Sequence, residues 1–265
     1  MFDRFNREIK YLRISVTDRC NLRCTYCMPE EGVPLLSHND ILSFEEIEEF
    51  VKYGITRGIN KVRLTGGEPL VRKGIVSLVR RLSSLNGLKD LSLTTNGILL
   101  SQFANELREA GLNRVNISLD TIDPESYCRI TRTGKIGDVL TGIKAAQITG
   151  LTPVKVNCVL SGQPEEEISR LKEFCKEHNL SLRFIHQMDL ETGKFSKVNG
   201  GDGGNCAVCN RIRLLPNGDV KPCLFSDMAF NIRELGIVEA FNLAVGKKPE
   251  AGTYNKSGTF SRIGG

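Results

Sequence analysis

The stretch Cys20-Asn21-Leu22-Arg23-Cys24-Thr25-Tyr26-Cys27 decides how this chain is read. It places three cysteines in eight residues, spaced C-x3-C-x2-C, directly after the strand-like run Leu12-Arg13-Ile14-Ser15-Val16. Thiols at this density bind a soft metal or a metal cluster, since packing alone gives no reason to gather them. A structural zinc site needs four ligands. The next candidate, His38, lies eleven residues past Cys27, outside the usual zinc spacing. An iron–sulfur cluster held by three thiolates leaves one iron open to a ligand that is not protein. A zinc knuckle and a trio of buried cysteines are the bland alternatives.

Around this trio, residues 11–186 alternate between strand-like and helical patterns. Strands are expected at 11–16, 61–65, 91–95, 114–119, 154–160 and 182–185. The first helix opens on Ser43-Phe44-Glu45-Glu46, a capping box, and others are expected at 74–85, 102–110, 138–149 and 165–178. Six βα units imply a parallel sheet with right-handed crossovers, which periodicity alone does not divide into a barrel or an open sheet. In such folds chemistry gathers beyond the C-terminal ends of strands. The cysteine loop follows strand one, Gly66-Gly67-Glu68-Pro69 strand two and Thr94-Thr95-Asn96-Gly97 strand three. Ser118-Leu119-Asp120 ends strand four, Lys155 lies within strand five and Met188 follows strand six. The Gly-Gly pair reads either as a tight turn or as backbone that approaches a ligand closely.

A second trio lies downstream. Cys206-Ala207-Val208-Cys209 precedes a hairpin pattern at 212–215 and 220–224, joined by Pro216-Asn217-Gly218-Asp219, and the hairpin returns Cys223 beside the CxxC. Zinc with an outside ligand and a second cluster with an open iron both fit this spacing. Residues 191–205, with Gly200-Gly201-Asp202-Gly203-Gly204, read as a flexible linker. The expected organisation is a domain at 1–190, the linker at 191–205 and a small C-terminal module at 206–265.

Composition sets the remaining bounds. Hydrophobic residues are 40% and charged residues 25% of 265, ordinary for a soluble globular protein. No apolar run approaches the length of a membrane helix, and residues 1–8 hold no secretory apolar region, so a cytoplasmic protein is expected. Six of nine cysteines fall in the two trios, which points to metal in a reducing compartment and not to disulfides. Cys158 and Cys175 read as core residues, and Cys128 is assigned nothing. A net charge of +5 with cations spread along the chain, several near strand ends, suits a small anion better than a nucleic acid.

The first trio, with Tyr26 before its last cysteine, resembles the signature of the radical S-adenosylmethionine (SAM) enzymes. Several further stretches are similar to the GTP 3',8-cyclase family of molybdenum-cofactor biosynthesis. They are Arg13–Cys20, Lys61–Leu70, Leu93–Gly97, Asn116–Asp120, Cys206–Leu214, Asn217-Gly218, Cys223-Leu224-Phe225 and the terminal Ile263-Gly264-Gly265. The resemblance implies an incomplete (β/α)6 TIM-like radical SAM barrel with a small C-terminal iron–sulfur module. It implies two [4Fe-4S] clusters and SAM as cofactors, one cluster on Cys20, Cys24 and Cys27 and one on Cys206, Cys209 and Cys223. Tyr26, Gly67, Ser118 and Met188 would contact SAM. Arg13, Arg63, Thr94, Lys155, Arg211, Ile212 and Arg213 would bind GTP. Arg13, Arg211, Arg213, Gly264 and Gly265 would serve catalysis.

The implied reaction is removal of hydrogen from C3' of GTP by a 5'-deoxyadenosyl radical, then attack on C8 of guanine. The implied partners are GTP, an electron donor and a downstream enzyme that forms the cyclic pyranopterin, with no nucleic acid and no membrane; a homodimer is compatible with the sequence. Two departures from the family stand out. Only 17 residues separate Met188 from Cys206, where the family has several dozen more. His186-Gln187 also replaces a usual Glu and aromatic, and His186 reads as a packing or hydrogen-bonding residue. The competing readings are another radical SAM enzyme with an auxiliary cluster, acting on a nucleotide or a peptide, and a non-catalytic iron–sulfur or zinc protein.

Overall fold

Six strands line up in parallel because helices between them return the chain to the same end of the sheet. A computed structural model describes residues 1–201, 203–256 and 260. The strands are β1 Tyr11–Ser15, β2 Lys61–Thr65, β3 Asp90–Thr95, β4 Arg114–Ser118, β5 Lys155–Leu160 and β6 Ser181–His186, in that spatial order. The helices between them are α1 Phe44–Thr56, α2 Ile75–Ser83, α3 Leu100–Glu109, α4 Pro124–Thr131, α5 Ile136–Ile148 and α6 Glu165–Glu177. α1 carries the expected capping box: Ser43 Oγ accepts from Glu46 N at 3.1 Å, and Ser43 N donates to Glu46 Oε2 at 2.7 Å. α4 is an addition to the sequence reading. Asp123 caps it by accepting from Ser126 N at 2.9 Å, with Pro124 in its first turn. Cys158 and Cys175 are buried and Cys128 is exposed.

The C-terminal residues extend this same sheet. β7 Arg211–Leu214 pairs in parallel with β1, Tyr11 opposite Arg211 and Ile14 opposite Leu214. β8 Asp219–Lys221 and β9 Phe230–Asn231 add antiparallel strands, giving nine in the order β6-β5-β4-β3-β2-β1-β7-β8-β9. The hairpin lies within a residue or so of its expected start, and β9 exceeds the expected hairpin and helix. Two helices follow, α7 Ile232–Leu235 and α8 Ile237–Gly246. α8 packs on α1 through Phe241, whose ring lies 5.7 Å from Phe50 and 5.4 Å from Tyr53 between centroids.

The connection expected to be a flexible linker follows the edge of β6. Asn199 and Phe184 exchange backbone hydrogen bonds at 3.1 and 3.2 Å, and Val198 N donates to Gly203 O at 2.8 Å. It thereby covers a strand edge that would otherwise present unpaired groups. Its neighbouring glycine Gly193 serves contact: a Cβ there would fall 1.5 Å from Thr253 O. Phe195 stacks on Phe225 at 4.5 Å, inside a second apolar cluster with Leu190, Leu215 and Leu224.

Phe241 is 1% exposed and joins α8 to the barrel's helical layer. Phe241→Ala is expected to cost about 3–5 kcal/mol of stability. Urea unfolding followed by circular dichroism should show this loss across the whole chain.

Candidate active site

The cysteine loop is held from below by β4 and from the side by α4. Arg23 N donates to Thr131 O at 3.2 Å and Thr25 N to Ile130 O at 3.0 Å. Arg132, at the end of α4 with φ 65°, donates to Arg23 O at 2.6 Å and Met28 O at 3.1 Å. Sequence reading missed this support, although Asp123-Pro124-Glu125 is a helix-start signal. Tyr26 Oη donates to Asp120 Oδ2 at 2.7 Å, and Asp120 Oδ1 accepts from Val159 N at 2.7 Å. Burial pushes Asp120 up to about 6. The tyrosine is therefore pinned to the ends of β4 and β5.

The Gly-Gly turn packs against the same loop. Gly67 N donates to Thr17 O and Glu68 N to Arg19 O, both at 2.8 Å, and a Cβ on Gly67 would fall 2.3 Å from Arg19 O. The missing side chain thus serves the approach of two backbone segments, a cause that the sequence reading did not separate from approach to a ligand. Glu68 is buried and bridges to β3, accepting from Thr95 Oγ1 at 2.8 Å, Asn96 N at 2.7 Å and Leu70 N at 3.0 Å. Asn96 in turn reaches Asn21 Oδ1 at 2.8 Å. Burial pushes all three thiols up, Cys27 to about 12, and Cys24 is raised further by Cys27, Asp120 and Cys20. These thiols stay protonated until a cation takes them, which suits a metal-binding set.

A cavity of about 400 Å³ runs from this trio through the barrel interior. A filled barrel would carry branched apolar side chains here. This one carries polar side chains at alternate strand positions. The register aligns Arg213, Arg13 and Arg63, and continues through Ser92 to Arg114. Lys61, Arg114, Lys155 and Arg211 open their strands and Arg63 is the middle residue of β2, so the cations line the interior at the end away from Cys20, Cys24 and Cys27. Alternation puts them on the inner face, because only every second residue of an inward strand faces the lumen. Tyr11 stands between two of them, with Arg63 and Arg211 each 5.5 Å from its ring centroid. Burial, then repulsion from Arg213, Arg63 and Arg211, pushes Arg13 well below the usual guanidinium range. Burial brings Arg213 to about 10. A polyanion would relieve this stored repulsion. Thr94 Oγ1 is buried without a hydrogen-bond partner among the described residues and lines the same cavity, an opening for a polar ligand.

The second trio lines a cavity of about 130 Å³ with Arg13, Arg211, Arg213 and Lys248. It adjoins the first cavity at Arg13, Ile185, Met188, Val198, Gly203 and Arg211, which line both. Burial raises Cys223. Cys209 is also raised by burial, but Lys248 and Arg211 outweigh this and hold it below the usual thiol range. All six donors are soft sulfur, and among the described residues no three His, Cys, Asp or Glu side chains converge on a single ion. The donor chemistry fits a cluster, whose thiolates are spread over several irons.

Of the residues expected to act, Arg13, Tyr26, Arg63, Gly67, Thr94, Ser118, Lys155, Met188 and Arg211 line the large cavity, and Arg213 the small one. Ile212 does not: its side chain is fully buried in the main core, facing away from its neighbours Arg211 and Arg213. Gly264 and Gly265 lie outside the described residues. His186 is exposed at the cavity rim. Lys61, Asp90, Arg114 and Arg183 also line the cavity and were missed, because nothing in a charged strand residue marks it as inward-facing.

A family profile described as the radical SAM superfamily matches residues 14–175. A curated protein named GTP 3',8-cyclase from Peptoclostridium acidaminophilum is 43% identical over 277 positions, covering 88% of this chain and 85% of the relative. One of the same name from Petrotoga mobilis is 39% identical over 323 positions, covering 100% of each. Set against 265 residues, 323 positions leave 58 without a counterpart in this chain. Among solved structures, Streptococcus suis SuiB bound to S-adenosylmethionine has a TM-score of 0.66 at 17% identity, with 91% of this chain and 65% of that chain covered. The similarity to SuiB supports the fold. The chain belongs to the radical SAM superfamily and, within it, to the family of GTP 3',8-cyclases.

Proposed function

We infer that this chain converts GTP to (8S)-3',8-cyclo-7,8-dihydroguanosine 5'-triphosphate, the first step of molybdopterin cofactor biosynthesis. The observation that carries this is the pair of adjoining cavities, with one thiol trio in each and inward-facing cations between and beyond them. Cys20, Cys24 and Cys27 would hold one [4Fe-4S] cluster and Cys206, Cys209 and Cys223 the other. Bound SAM and its cluster supply the 5'-deoxyadenosyl radical that takes the C3' hydrogen. The chain's own residues position and enclose. Tyr26, Gly67, Ser118 and Met188 hold SAM beside the first trio. Arg63 and Lys155 face the triphosphate, where guanidinium forks and ammonium donors meet phosphate oxygens. Arg13, Arg211 and Arg213 hold the nucleotide toward the second trio, and Thr94 Oγ1 supplies a hydrogen bond.

Residues 1–190 thus carry the SAM chemistry, and residues 206–265 the second cluster and the Gly264-Gly265 tail, which would complete the site. An electron donor, a downstream enzyme that forms the cyclic pyranopterin, a cytoplasmic setting and a homodimer belong to the same reading. Among the described residues no helix is long and apolar enough to cross a membrane. A second reading, a radical SAM enzyme acting on another nucleotide or a peptide, draws on the 58 positions this chain lacks.

The reading is tested by incubating the iron-reconstituted protein anaerobically with SAM, dithionite and GTP. 5'-Deoxyadenosine and the cyclised nucleotide should appear in step; deoxyadenosine without loss of GTP would favour the second reading. Charge-assisted hydrogen bonds are worth about 1.5–3 kcal/mol. Arg63→Ala should therefore weaken GTP binding about 10- to 100-fold by equilibrium dialysis, leaving the iron content unchanged.

A further inference from the structure

Lys248 is 2% exposed and follows α8 by two residues. Its Nζ donates to Arg211 O at 2.8 Å and to Pro222 O at 2.7 Å. Those carbonyls belong to the two segments that present Cys209 and Cys223, so one ammonium spans both. It lines the small cavity together with Cys206, Cys209 and Cys223 and acts electrostatically on Cys209 and Cys223. An ammonium has three donors, and here two meet neutral carbonyls at the edge of the cavity that the three thiols line.

Among the described residues Lys248 forms no salt bridge. A fully buried lysine without an anion is costly and rare. Arg7, another buried cation at this module, makes the contrast. It donates to the carbonyls of Cys206, Pro249 and Glu250 at 2.7, 2.6 and 2.8 Å, but its charge is met by Asp3 at 2.7 Å. Arg7 fastens the 249–250 segment to the loop of Cys206. Lys248, with no such carboxylate among the described residues, brings its positive charge to the cavity of the thiols.

We propose that Lys248 is the buried counter-ion of the second iron–sulfur cluster, a positioning residue whose fixed charge sets that cluster's reduction potential. This rests on the reading that Cys206, Cys209 and Cys223 hold a cluster. Three thiolates leave such a cluster net negative, and an added electron deepens that charge. Net charge and hydrogen bonds to sulfur are among the factors that set cluster potentials. Removing the cation should therefore disfavour reduction.

The test is an electron paramagnetic resonance redox titration of the reconstituted holoenzyme and of its Lys248→Met and Lys248→Arg variants. Added SAM identifies the signal of the first cluster, to which it binds. Lys248→Met should lower the one-electron reduction equilibrium of the second cluster about tenfold, ~59 mV, with the first unmoved; Lys248→Arg should stay near the wild-type value. If Lys248→Met instead loses the second cluster, retention by Lys248→Arg supports the charge role, and loss from both overturns it. An unchanged midpoint in an iron-complete Lys248→Met protein, or equal shifts of both clusters, overturns the inference alone. Iron analysis of the wild type showing only one cluster overturns the reading beneath it as well.

Discussion

The parallel pairing of β7 with β1 is the constraint on which the rest depends. Tyr11 lies opposite Arg211 and Arg13 opposite Arg213, so a strand almost two hundred residues away adds its cations to the barrel wall. The same pairing places the second thiol trio beside the open side of the barrel. A slip of one residue would turn Arg211 and Arg213 outward and put Ile212 in the lumen. Ile212 and Leu214, both fully buried in the main core, oppose that slip. The hydrophobic core thereby sets the position of the polar site, and the Phe241 packing on α1 secures the join from the helical side.

The fold carries the cost of gathering like charges. Arg13, Arg63 and Arg213 share a small desolvated space with Arg211, and burial with repulsion from neighbouring cations disfavours the charged forms of those three. The cysteines of the first trio pay in the opposite sense, since burial opposes thiolate formation until a cation arrives. Both arrangements are unfavourable alone and favourable with the expected occupants. This is preorganisation: the protein holds the groups in place before binding, so little reorganisation is required afterwards. The Tyr26–Asp120–Val159 and Glu68–Thr95–Asn96 links perform the same service for the cysteine loop, with short hydrogen bonds to strand ends.

Much of this was legible in the sequence. All six barrel strands lie within a residue or so of their expected bounds, because short apolar runs and the punctuation around each point to the same answer. Both thiol trios were visible from spacing. Three features were not. α4 was passed over because its short run lacks a long apolar period, although Asp123 and Pro124 mark its start. The connection before Cys206 was read as flexible from its glycines, whereas Gly193 marks close backbone contact and Asn199 pairs with β6. Lys61, Arg114, Arg183 and Lys248 carried no signal at all: whether a cation faces a lumen, or a lysine lines the cavity of the thiols, follows from register and tertiary packing. Ile212 shows the converse, since a motif neighbour was assigned to the substrate and alternation sends it to the core.

The central claim is that SAM and GTP meet in the adjoining cavities, so that the radical formed at the first trio acts on the nucleotide held by the second. The most direct measurement is the mass of 5'-deoxyadenosine formed from GTP carrying deuterium at C3'. The account requires deuterium to enter the deoxyadenosine in proportion to the cyclised product. Unlabelled deoxyadenosine from fully deuterated substrate would contradict it, because the hydrogen would then have come from somewhere other than the ribose of GTP.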